Sequence, residues 1–425
     1  MESFVIQGTN PLRGTISVQG SKNAVTPILA AALLTDDLCE IRNVPRIADV
    51  FCMLEILRRM GADVAWKGKR TLHICAKNID PKKIDQVLIK KMRSSILLLG
   101  PLSARFRQFR LYHPGGCVIG KRPVDTHVDA LQKLGVRISQ KGKIYDVDAR
   151  QRRSAQIVLK EFSVTATENA MMLAAILPGR TIIKIAAMEP HVEDLGRFLI
   201  AMGAKITGLG THAINIVGKR HLHGATHVVI PDHNEAATFL ILGTATKSPI
   251  TVKNVRSKHL ELVLERLEEC GARFHKTRNA ITIIPPKKLI APSKIDARIY
   301  PGIPSDVQAP FGVLATQANG TTLIFDTIYE GRLNYLYELK KMGARVKILN
   351  PHQAVISGPT KLRGRIISSL DLRAGATLII AGLLAQGKTI IRGAEVIDRG
   401  YEGIEKRLQG IGANIKRVTD TDTTD

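Results

Sequence analysis

Six short stretches share one pattern and decide the fold: RRMGADV (58–64), QKLGVRI (132–138), IAMGAKI (200–206), EECGARF (268–274), KKMGARV (340–346) and QGIGANI (409–415). In each stretch a helical pattern ends in an apolar residue, which is followed by glycine, by Ala or Val, and by a short alternating pattern. A glycine directly after the last helical turn suits the left-handed position that ends a helix. The alternation that follows favours a half-buried strand. Because the six glycines are 68 to 74 residues apart, the chain contains six related units.

Each unit also contains a second predicted helix, which is apolar on most sides. These segments are TPILAAALL (26–34), SSILLLGPL (94–102), NAMMLAAIL (169–177), ATFLILGTA (237–245), APFGVLATQ (309–317) and ATLIIAGLL (376–384). They lead into strand patterns, so each unit reads strand–helix–strand–helix–strand(–strand). Six units are too many to share a single hydrophobic core. We therefore predict an α/β fold of two domains with three units each, divided near residue 230. A solenoid of six modules is the alternative, but units of about 70 residues with wholly buried helices argue against it.

Composition narrows the class of protein. The 425 residues include 62 Lys and Arg against 37 Asp and Glu, a net charge of +25, while 44% are hydrophobic. These values exclude a disordered, collagenous or small disulfide-rich chain. The positive charge indicates an anionic partner, which is a nucleic acid, a membrane surface or a small acidic substrate. Aromatic residues make up only 4%, which leaves few stacking surfaces for single-stranded nucleic acid.

Cysteine usage and hydropathy predict a soluble cytoplasmic protein. The five cysteines are scattered and form no C-x-x-C pair, so we expect neither a structural zinc site nor a disulfide framework. No apolar run approaches the roughly 20 residues that cross a bilayer. The opening residues MESFVIQG lack the basic and apolar regions of an export signal.

Polar residues cluster where a strand pattern meets a buried helix. The junctions are Ser21-Lys22-Asn23, Arg93-Ser94, Ser163 with Glu168, Asp232-His233, Ser305-Asp306, and Asp371 with Arg373. Five of the amphipathic helices are preceded by an arginine: Arg46, Arg122, Arg256, Arg332 and Arg399. Helix N-termini bind anions readily, so converging junctions would bind a multiply anionic ligand. The alternative is that Ser and Asp only cap helices and the arginines are surface charges, which we prefer for Arg46 and Arg256.

One loop carries a candidate nucleophile. In HPGGCVIGKRPVDTH (113–127), glycines flank Cys117, and Lys121 and Arg122 follow closely. Neighbouring cations lower a thiol pKa and favour the reactive thiolate. A single loop cysteine is often structural, so this pattern alone leaves both interpretations open.

The whole chain resembles the enolpyruvyl transferase family. The resemblance rests on FVIQG, GSKNA, PGGCVIGKRPVDTH, PSDVQAPF, LDLRAGATL and IDRGYEGIE, and the cysteine loop places it in the branch that uses UDP-N-acetylglucosamine. It implies two inverse α/β domains, each of three βαβαββ repeats, around an inter-domain cleft. Residues 22–229 would form the first domain, which carries the cysteine loop. Residues 1–21 and 230–425 would form the second.

The resemblance also implies a reaction. The enolpyruvyl group of phosphoenolpyruvate is transferred to the 3′-hydroxyl of UDP-N-acetylglucosamine with release of phosphate, by addition and elimination. This is the first committed step of peptidoglycan synthesis. The resemblance implies that the reaction needs no cofactor and no metal. We also expect a monomer without a specific nucleic-acid partner. Two alternatives stay open: another acceptor such as shikimate 3-phosphate, or a basic paralogue that binds polyanions.

Residue roles follow from the matching motifs. Asp306 would be the base for the sugar hydroxyl, and Cys117 would transfer protons or assist product release and react with fosfomycin. Lys22, Arg122 and Arg399 would bind the phosphate, and Arg332 and Arg373 the carboxylate. The resemblance implies catalytic roles for Cys117, Asp306, Lys22 and Arg399, and phosphoenolpyruvate contacts for Lys22, Asn23, Arg122, Arg332, Arg373 and Arg399. The nucleotide-sugar contacts would be Asn23, Arg93, Arg122, Pro123, Val124, Asp125, Thr126, Glu161, Phe162, Ser163, Val164, Asp306 and Ile328.

Three positions depart from the family pattern. Thr165 stands where the family usually has glycine, Glu161 where a basic residue is common, and His233 where an arginine is common. We expect these changes to affect contacts with the nucleotide and to leave the chemistry intact.

Overall fold

The computed structural model describes residues 2–115, 120 and 122–419. They form two compact units: residues 2–19, Gly120 and 231–419 make up the first unit, and residues 20–115 and 122–230 the second. Each unit buries its own hydrophobic core. No helix among the described residues is long and apolar enough to cross a membrane.

The described residues contain these α-helices: α1 (Lys22–Ala31), α2 (Ala48–Arg59), α3 (Gln86–Lys91), α4 (Leu99–Arg105), α5 (Asp125–Lys133), α6 (Val164–Ala174), α7 (Pro190–Ala201), α8 (His233–Ala245), α9 (Glu261–Glu269), α10 (Ser305–Gln317), α11 (Tyr335–Lys341), α12 (Leu372–Leu384), α13 (Ala394–Ile397) and α14 (Ile404–Gln409). Short 3-10 helices cover Ala32–Leu34, Pro81–Lys83, Arg93–Leu98 and Ser257–His259.

The strands are β1 (Glu2–Gln7), β2 (Gly14–Ser17), β3 (Cys39–Arg42), β4 (Asp63–Trp66), β5 (Leu72–Cys75), β6 (Gln108–Tyr112), β7 (Arg137–Lys141), β8 (Ile144–Asp148), β9 (Gln156–Val158), β10 (Arg180–Lys184), β11 (Lys205–Thr207), β12 (Ala213–Val217), β13 (Thr226–Val228), β14 (Ile250–Lys253), β15 (Arg273–Lys276), β16 (Ala280–Ile284), β17 (Lys294–Ala297), β18 (Gly320–Asp326), β19 (Arg345–Asn350), β20 (Gln353–Gly358), β21 (Ile366–Ser368), β22 (Lys388–Arg392) and β23 (Asn414–Thr419).

The strands form three sheets in each unit. The first unit has the orders β21-β22-β1-β23, β15-β16-β14-β2 and β17-β18-β20-β19, and the second has β11-β12-β10-β9, β13-β3-β5-β4 and β6-β8-β7. Every four-stranded sheet combines one parallel pair at its edge with antiparallel neighbours. This mixed sheet, repeated with its two helices, confirms the predicted α/β class.

The repeat glycines act as predicted. All six lie directly after the end of an amphipathic helix, with φ between +83° and +107°. An L-residue with a Cβ is strained in this left-handed region, which is why glycine recurs there. The chain then turns into the strand that the alternating pattern predicts, such as β4 after Gly61.

The predicted apolar helices lie in the cores. All 13 residues of α8 are buried, and α10 and α12 are nearly as enclosed. In the first unit α10 packs against both α8 and α12. Their N-termini carry the polar junction residues, so this packing determines which of those side chains meet.

Candidate active site

Two of the three central helices in the first unit begin at an aspartate that caps them. Oδ1 of Asp232 accepts hydrogen bonds from the backbone N–H groups of Asn234 and Glu235, at 2.9 and 3.0 Å. Oδ1 of Asp371 does the same for Arg373 and Ala374, at 2.8 and 3.1 Å. The predicted junction residues therefore fix the starts of α8 and α12.

Asp306, in the first turn of α10, contacts two arginines. Its Oδ1 lies 2.5 Å from Nη2 of Arg332, and its Oδ2 lies 3.1 Å from Nε of Arg373. The two arginines also approach the capping aspartates. Nη1 of Arg332 is 3.5 Å from Oδ1 of Asp371, and Nη2 of Arg373 is 3.8 Å from Oδ2 of Asp232. The structure thus brings together Asp306, Arg332 and Arg373, which the sequence placed in one site.

The two arginines are held charged in a nearly dry environment. The side chain of Arg332 is 6% exposed and that of Arg373 is 3% exposed. Burial lowers the pKa of Arg332, but the carboxylates of Asp306 and Asp371 outweigh this effect and raise it above its usual range. Nη1 of Arg373 is buried and has no hydrogen-bond partner among the described residues. This site therefore retains donor capacity for an external anion.

Arg332 is positioned by a chain of hydrogen bonds. Its Nε donates to Oγ of Ser305 at 3.1 Å, and Ser305 in turn donates to Oδ2 of Asp326 at 2.6 Å. Oδ1 of Asp326 accepts from the backbone N–H groups of Ile328 and Tyr329, at 2.9 and 3.3 Å. The side chain of Ile328, a predicted nucleotide-sugar contact, is 37% exposed beside this network.

Arg373 is supported by an aromatic ring. Its guanidinium carbon lies 5.1 Å from the centroid of the buried Tyr401 ring, a cation–π distance. The Tyr401 hydroxyl is 3.0 Å from Oγ1 of Thr238 on α8. Arg399 is half-buried, two residues before Tyr401 and between α13 and α14.

In the second unit, Lys22 and Asn23 open helix α1. Nζ of Lys22 forms an ion pair with Asp49 at 3.1 Å, and the two side chains are 15% and 6% exposed. Oγ of Ser21 caps the helix by accepting from the backbone N–H of Ala24 at 3.3 Å. Asn23 is half-buried. The junction therefore presents a cation whose carboxylate partner comes from the neighbouring α2.

The predicted nucleotide-sugar residues include two arginines close to a buried histidine. Nη2 of Arg93 donates to the carbonyl oxygen of Pro123 at 2.9 Å. His127 lies on α5, and burial, followed by the positive charges of Arg93 and Arg122, lowers its pKa from 6.5 to about 3. His127 is therefore neutral at physiological pH.

The two family departures in this unit are each hydrogen-bonded. Oγ1 of Thr126 donates to Oε1 of Glu161 at 2.9 Å, and Nε2 of His127 is 2.6 Å from Oγ1 of Thr165. Phe162 is 40% exposed. The departures therefore form cross-links between α5 and the segment that begins α6, which includes half-buried Ser163 and Val164. At the start of α5, Val124 is buried and Asp125 is exposed.

Two buried glutamates also belong to this unit. Burial raises the pKa of Glu168 well above 4.5, and the charge of Glu189 raises it further. Burial likewise raises the pKa of Glu189. Glu168 at its predicted junction is therefore a buried carboxyl group whose surroundings favour the protonated form.

The cysteine loop is covered only in part. Cys117 and Lys121 lie outside the described residues, so their predicted roles rest on the sequence. The four described cysteines, at 39, 52, 75 and 270, are free thiols. Burial raises the pKa of Cys39 to about 11 and that of Cys270 to about 12, which makes these two poor nucleophiles.

Several supporting residues escaped the sequence prediction. Three residues hold predicted residues in place: Asp49 contacts Lys22, Asp326 contacts Ser305 and Tyr401 contacts Arg373. The members of each pair lie 21 to 28 positions apart in the sequence, in different segments. Only the topology brings them near. Within the described part of the chain, no group of three or more His, Cys, Asp or Glu side chains is placed to hold a metal ion.

The chain is similar to known proteins in both sequence and fold. The family model described as EPSP synthase (3-phosphoshikimate 1-carboxyvinyltransferase) matches residues 6–408. The UDP-N-acetylglucosamine 1-carboxyvinyltransferase of Koribacter versatilis is 40% identical over 421 residues, covering 98% of this chain and 97% of that protein. The protein of the same name from Methylacidiphilum infernorum is 43% identical over 422 residues, covering 98% and 99%. The structure of the enolpyruvyl transferase NikO from Streptomyces tendae is 25% identical, with a TM-score of 0.89 and coverage of 98% and 99%.

Proposed function

Because the chain belongs to the EPSP synthase family, which its match over residues 6–408 establishes, we propose that it transfers the enolpyruvyl group of phosphoenolpyruvate to the 3′-hydroxyl of UDP-N-acetylglucosamine. The acceptor is supported by the names of relatives that are 40% and 43% identical over nearly the whole chain. The product would enter peptidoglycan synthesis. This acceptor is preferred over shikimate 3-phosphate.

One observation carries the proposal at the level of the site. Arg373 is 3% exposed, has an unpartnered Nη1, and contacts the candidate base Asp306 at 3.1 Å. A buried guanidinium with spare donors suits a small planar carboxylate, because its fork can form two parallel hydrogen bonds. We assign Arg373 and Arg332 to the carboxylate of phosphoenolpyruvate.

The chemistry needs a base and an acid in turn. In the addition step the 3′-oxygen forms a bond to C2 of phosphoenolpyruvate, the hydroxyl loses its proton, and C3 gains one. In the elimination step the bond from C2 to the phosphate oxygen breaks and C3 returns a proton, which leaves the enol ether and inorganic phosphate. Asp306 is the proposed acceptor of the hydroxyl proton.

The contacts of Asp306 suggest how that base becomes available. In the structure its two carboxylate oxygens are engaged by Arg332 and Arg373. An arriving substrate carboxylate competes for the same guanidinium groups and weakens their hold on Asp306. We propose that this exchange increases the basicity of Asp306 only when phosphoenolpyruvate is bound.

The remaining roles are proposals carried by the family motifs. Lys22, Arg122 and Arg399 bind the phosphate, with Asn23 beside them. Cys117 transfers protons or assists product release. The nucleotide sugar contacts Arg93, the segments 122–126 and 161–164, and Ile328, and we propose that the Thr126–Glu161 and His127–Thr165 hydrogen bonds shape that surface. We further propose a monomer that acts in the cytoplasm.

Phosphate release tests the reaction and the acceptor together. The protein is incubated with phosphoenolpyruvate, and release of inorganic phosphate is followed as UDP-N-acetylglucosamine is added. We expect saturable release that requires the nucleotide sugar and little release with shikimate 3-phosphate. Release that requires shikimate 3-phosphate, or no release with either acceptor, contradicts the proposal.

A further inference from the structure

One backbone hydrogen bond recurs in all six repeats and aligns them residue by residue. Its acceptor is the carbonyl oxygen of the residue before each repeat glycine. Its donor is a backbone N–H in the segment after the strand that pairs antiparallel with the strand following that glycine. The donor–acceptor pairs, 2.7 to 3.2 Å long, are Asp80–Met60, Arg153–Leu134, His223–Met202, Ile290–Cys270, Arg363–Met342 and Arg13–Ile411. The residue just before each donor is therefore equivalent in all six repeats.

Five of these equivalent residues are buried and aliphatic, and one is an arginine. The aliphatic residues are 8%, 6%, 4%, 1% and 2% exposed and are Ile79, Leu222, Leu289, Leu362 and Leu12. The second repeat has Arg152 at this position, where its side chain is half-buried. The position that holds a buried aliphatic side chain in the other five repeats therefore holds a charged side chain in the second repeat.

Arg152 lines a cavity of about 970 Å³ in the second unit. Part of the wall is apolar: Leu34 and Leu177 follow the C-terminal ends of helices α1 and α6, and Leu222 lies in the loop after β12. The basic lining consists of Arg105, Arg107, Arg150, Arg152, Arg220 and His221, and the carboxylates of Asp36 and Asp37 also line the cavity, which we call the arginine cavity.

Only some of these charges are neutralised. Arg105 pairs with Asp36 and donates to the carbonyl oxygens of Leu33 and Ala76, at 3.0 and 2.8 Å. Arg150 pairs with Asp148 at 2.5 Å. Within the described residues, the other three arginines have no ion pair with a carboxylate: Arg107, Arg152 and Arg220.

The environment of Arg152 opposes its charge. Nη1 of Arg152 donates to the carbonyl oxygen of Ala149 at 3.0 Å, which is a neutral partner. Burial, and then the positive charge of Arg107, lower the pKa of Arg152. A multivalent anion would relieve this repulsion and compensate the desolvation.

The first unit shows that the fold does not require these arginines. Cations at helix C-termini often only neutralise the last carbonyl groups. At the matching ends of α8 and α10, however, Lys247 donates to the carbonyl oxygen of Lys287 at 3.3 Å and Gln317 to that of Thr360 at 3.1 Å. One lysine and a neutral amide link these helix ends to the loops after β16 and β20, where Lys287 and Lys361 are exposed. A half-buried arginine such as Arg152 is not required there, so its charge needs another explanation.

We propose that the arginine cavity binds a small anion that carries more than one phosphate group. A guanidinium group binds two phosphate oxygens at once, so the three arginines without an ion pair can engage more oxygens than a single phosphate offers, although Asp37 also lines the cavity. The site is separate from the proposed reaction, because helix α1 and its 3-10 extension place Leu34 about 20 Å from Lys22 at the usual rise per residue.

Inorganic tripolyphosphate is the probe for this proposal, titrated into the full chain by calorimetry at about 0.1 M salt, where exposed charges are largely screened. The test variant is Arg152→Leu, which restores the residue type of the other repeats and should fold. The matched control is the adjacent Arg153→Leu, which removes the same charge but does not line the arginine cavity.

We expect wild type and Arg153→Leu to bind tripolyphosphate with affinities within about twofold of each other, and Arg152→Leu to bind roughly tenfold or more weakly. Turnover of Arg152→Leu should equal that of wild type, and its unfolding midpoint should be no lower, because the substitution removes a charge that burial and Arg107 oppose. Absence of binding in wild type, or equal affinity in the two variants, would overturn the proposal. Citrate binding as tight as that of tripolyphosphate would overturn the assignment to phosphate groups.

Discussion

The carboxylate of Asp306 lies 2.5 Å from Nη2 of Arg332, so the candidate base and a candidate substrate-binding arginine engage each other directly. The same carboxylate also contacts Arg373 at 3.1 Å. We therefore expect binding of an anionic substrate and release of the proposed base to be coupled through these shared hydrogen bonds.

Replacement of the base gives the most direct test of this coupling. We expect Asp306→Asn to lower kcat by about 10²- to 10⁴-fold, the usual range for loss of a general base. KM for UDP-N-acetylglucosamine should change little. KM for phosphoenolpyruvate should stay the same or fall, because the variant lacks the carboxylate that competes for Arg332 and Arg373.

Steady-state kinetics with each substrate varied in turn would measure these effects. Asp296→Asn is a suitable control, since Asp296 pairs with Lys294 and Arg298 in the same unit and has no proposed catalytic role. A wild-type kcat for Asp306→Asn would remove Asp306 as the base.

Arg373→Lys tests the assignment of the substrate carboxylate. Lysine keeps the charge but loses the planar fork and the stacking on Tyr401. We expect KM for phosphoenolpyruvate to rise by roughly 10- to 100-fold, in line with the loss of one or two charge-assisted hydrogen bonds.

Arg407→Lys provides a closely matched control for that variant. Arg407 is 16% exposed at its side chain, pairs with Glu235 at 2.5 Å and lies 5.2 Å from an aromatic ring, that of Phe239. If both variants raised KM equally, the effect would reflect disturbance of the unit rather than contact with the substrate.

The pH dependence of stability should reveal His127. Its pKa is about 3 in the folded protein and near 6.5 when unfolded, so the unfolded state binds more protons between these values. Stability then falls as pH drops through this window, by up to about 1.4 kcal/mol per pH unit for one such group.

Urea unfolding at several pH values would show this slope, and we expect His127→Gln to flatten it between about pH 6 and 4. His212→Gln is a control in the same unit. His212 is exposed, so this substitution should leave the slope unchanged. If the slope were the same in His127→Gln as in wild type, a group other than His127 would be responsible for the loss of stability at acidic pH.

Cys117→Ala tests the proposed role of Cys117, which rests on the sequence and on the family resemblance. We expect this variant to lose covalent labelling by fosfomycin and most of its turnover, because the labelled thiol is absent. Intact-mass spectrometry after incubation with fosfomycin measures the labelling. Cys75→Ala, which removes a half-buried free thiol, should be labelled as fully as wild type. Labelling that persists in Cys117→Ala would refute the role.

Local sequence patterns predicted the repeat well because they depend on local backbone chemistry. A glycine at a helix end needs no distant partner, and all six repeat glycines have the expected positive φ. Capping was predicted less uniformly. Ser21, Asp232 and Asp371 cap their helices, whereas the side chains of Ser163 and Ser305 accept no backbone N–H at the helix start.

The connections between segments were beyond the sequence patterns. Ser305 donates to Asp326 because α10 begins near the end of β18, and no spacing rule links these two positions. The same holds for His127 and Thr165, which lie 38 residues apart. Thr165 is unusual when judged by sequence alone, yet its hydroxyl contacts the buried histidine. Such partners become visible only once the topology fixes which strand and helix ends are neighbours.

The place of β1 in its sheet constrains how the first unit can form during synthesis. This strand comprises Glu2–Gln7, and both of its hydrogen-bonded neighbours, β22 and β23, are the last strands of the chain. The ribosome adds roughly 5–20 residues per second, so β1 waits about 20–80 s for its partners. Residues 20–230, in contrast, can complete their unit while the remainder is still being translated. A strand that is made early is thus paired late.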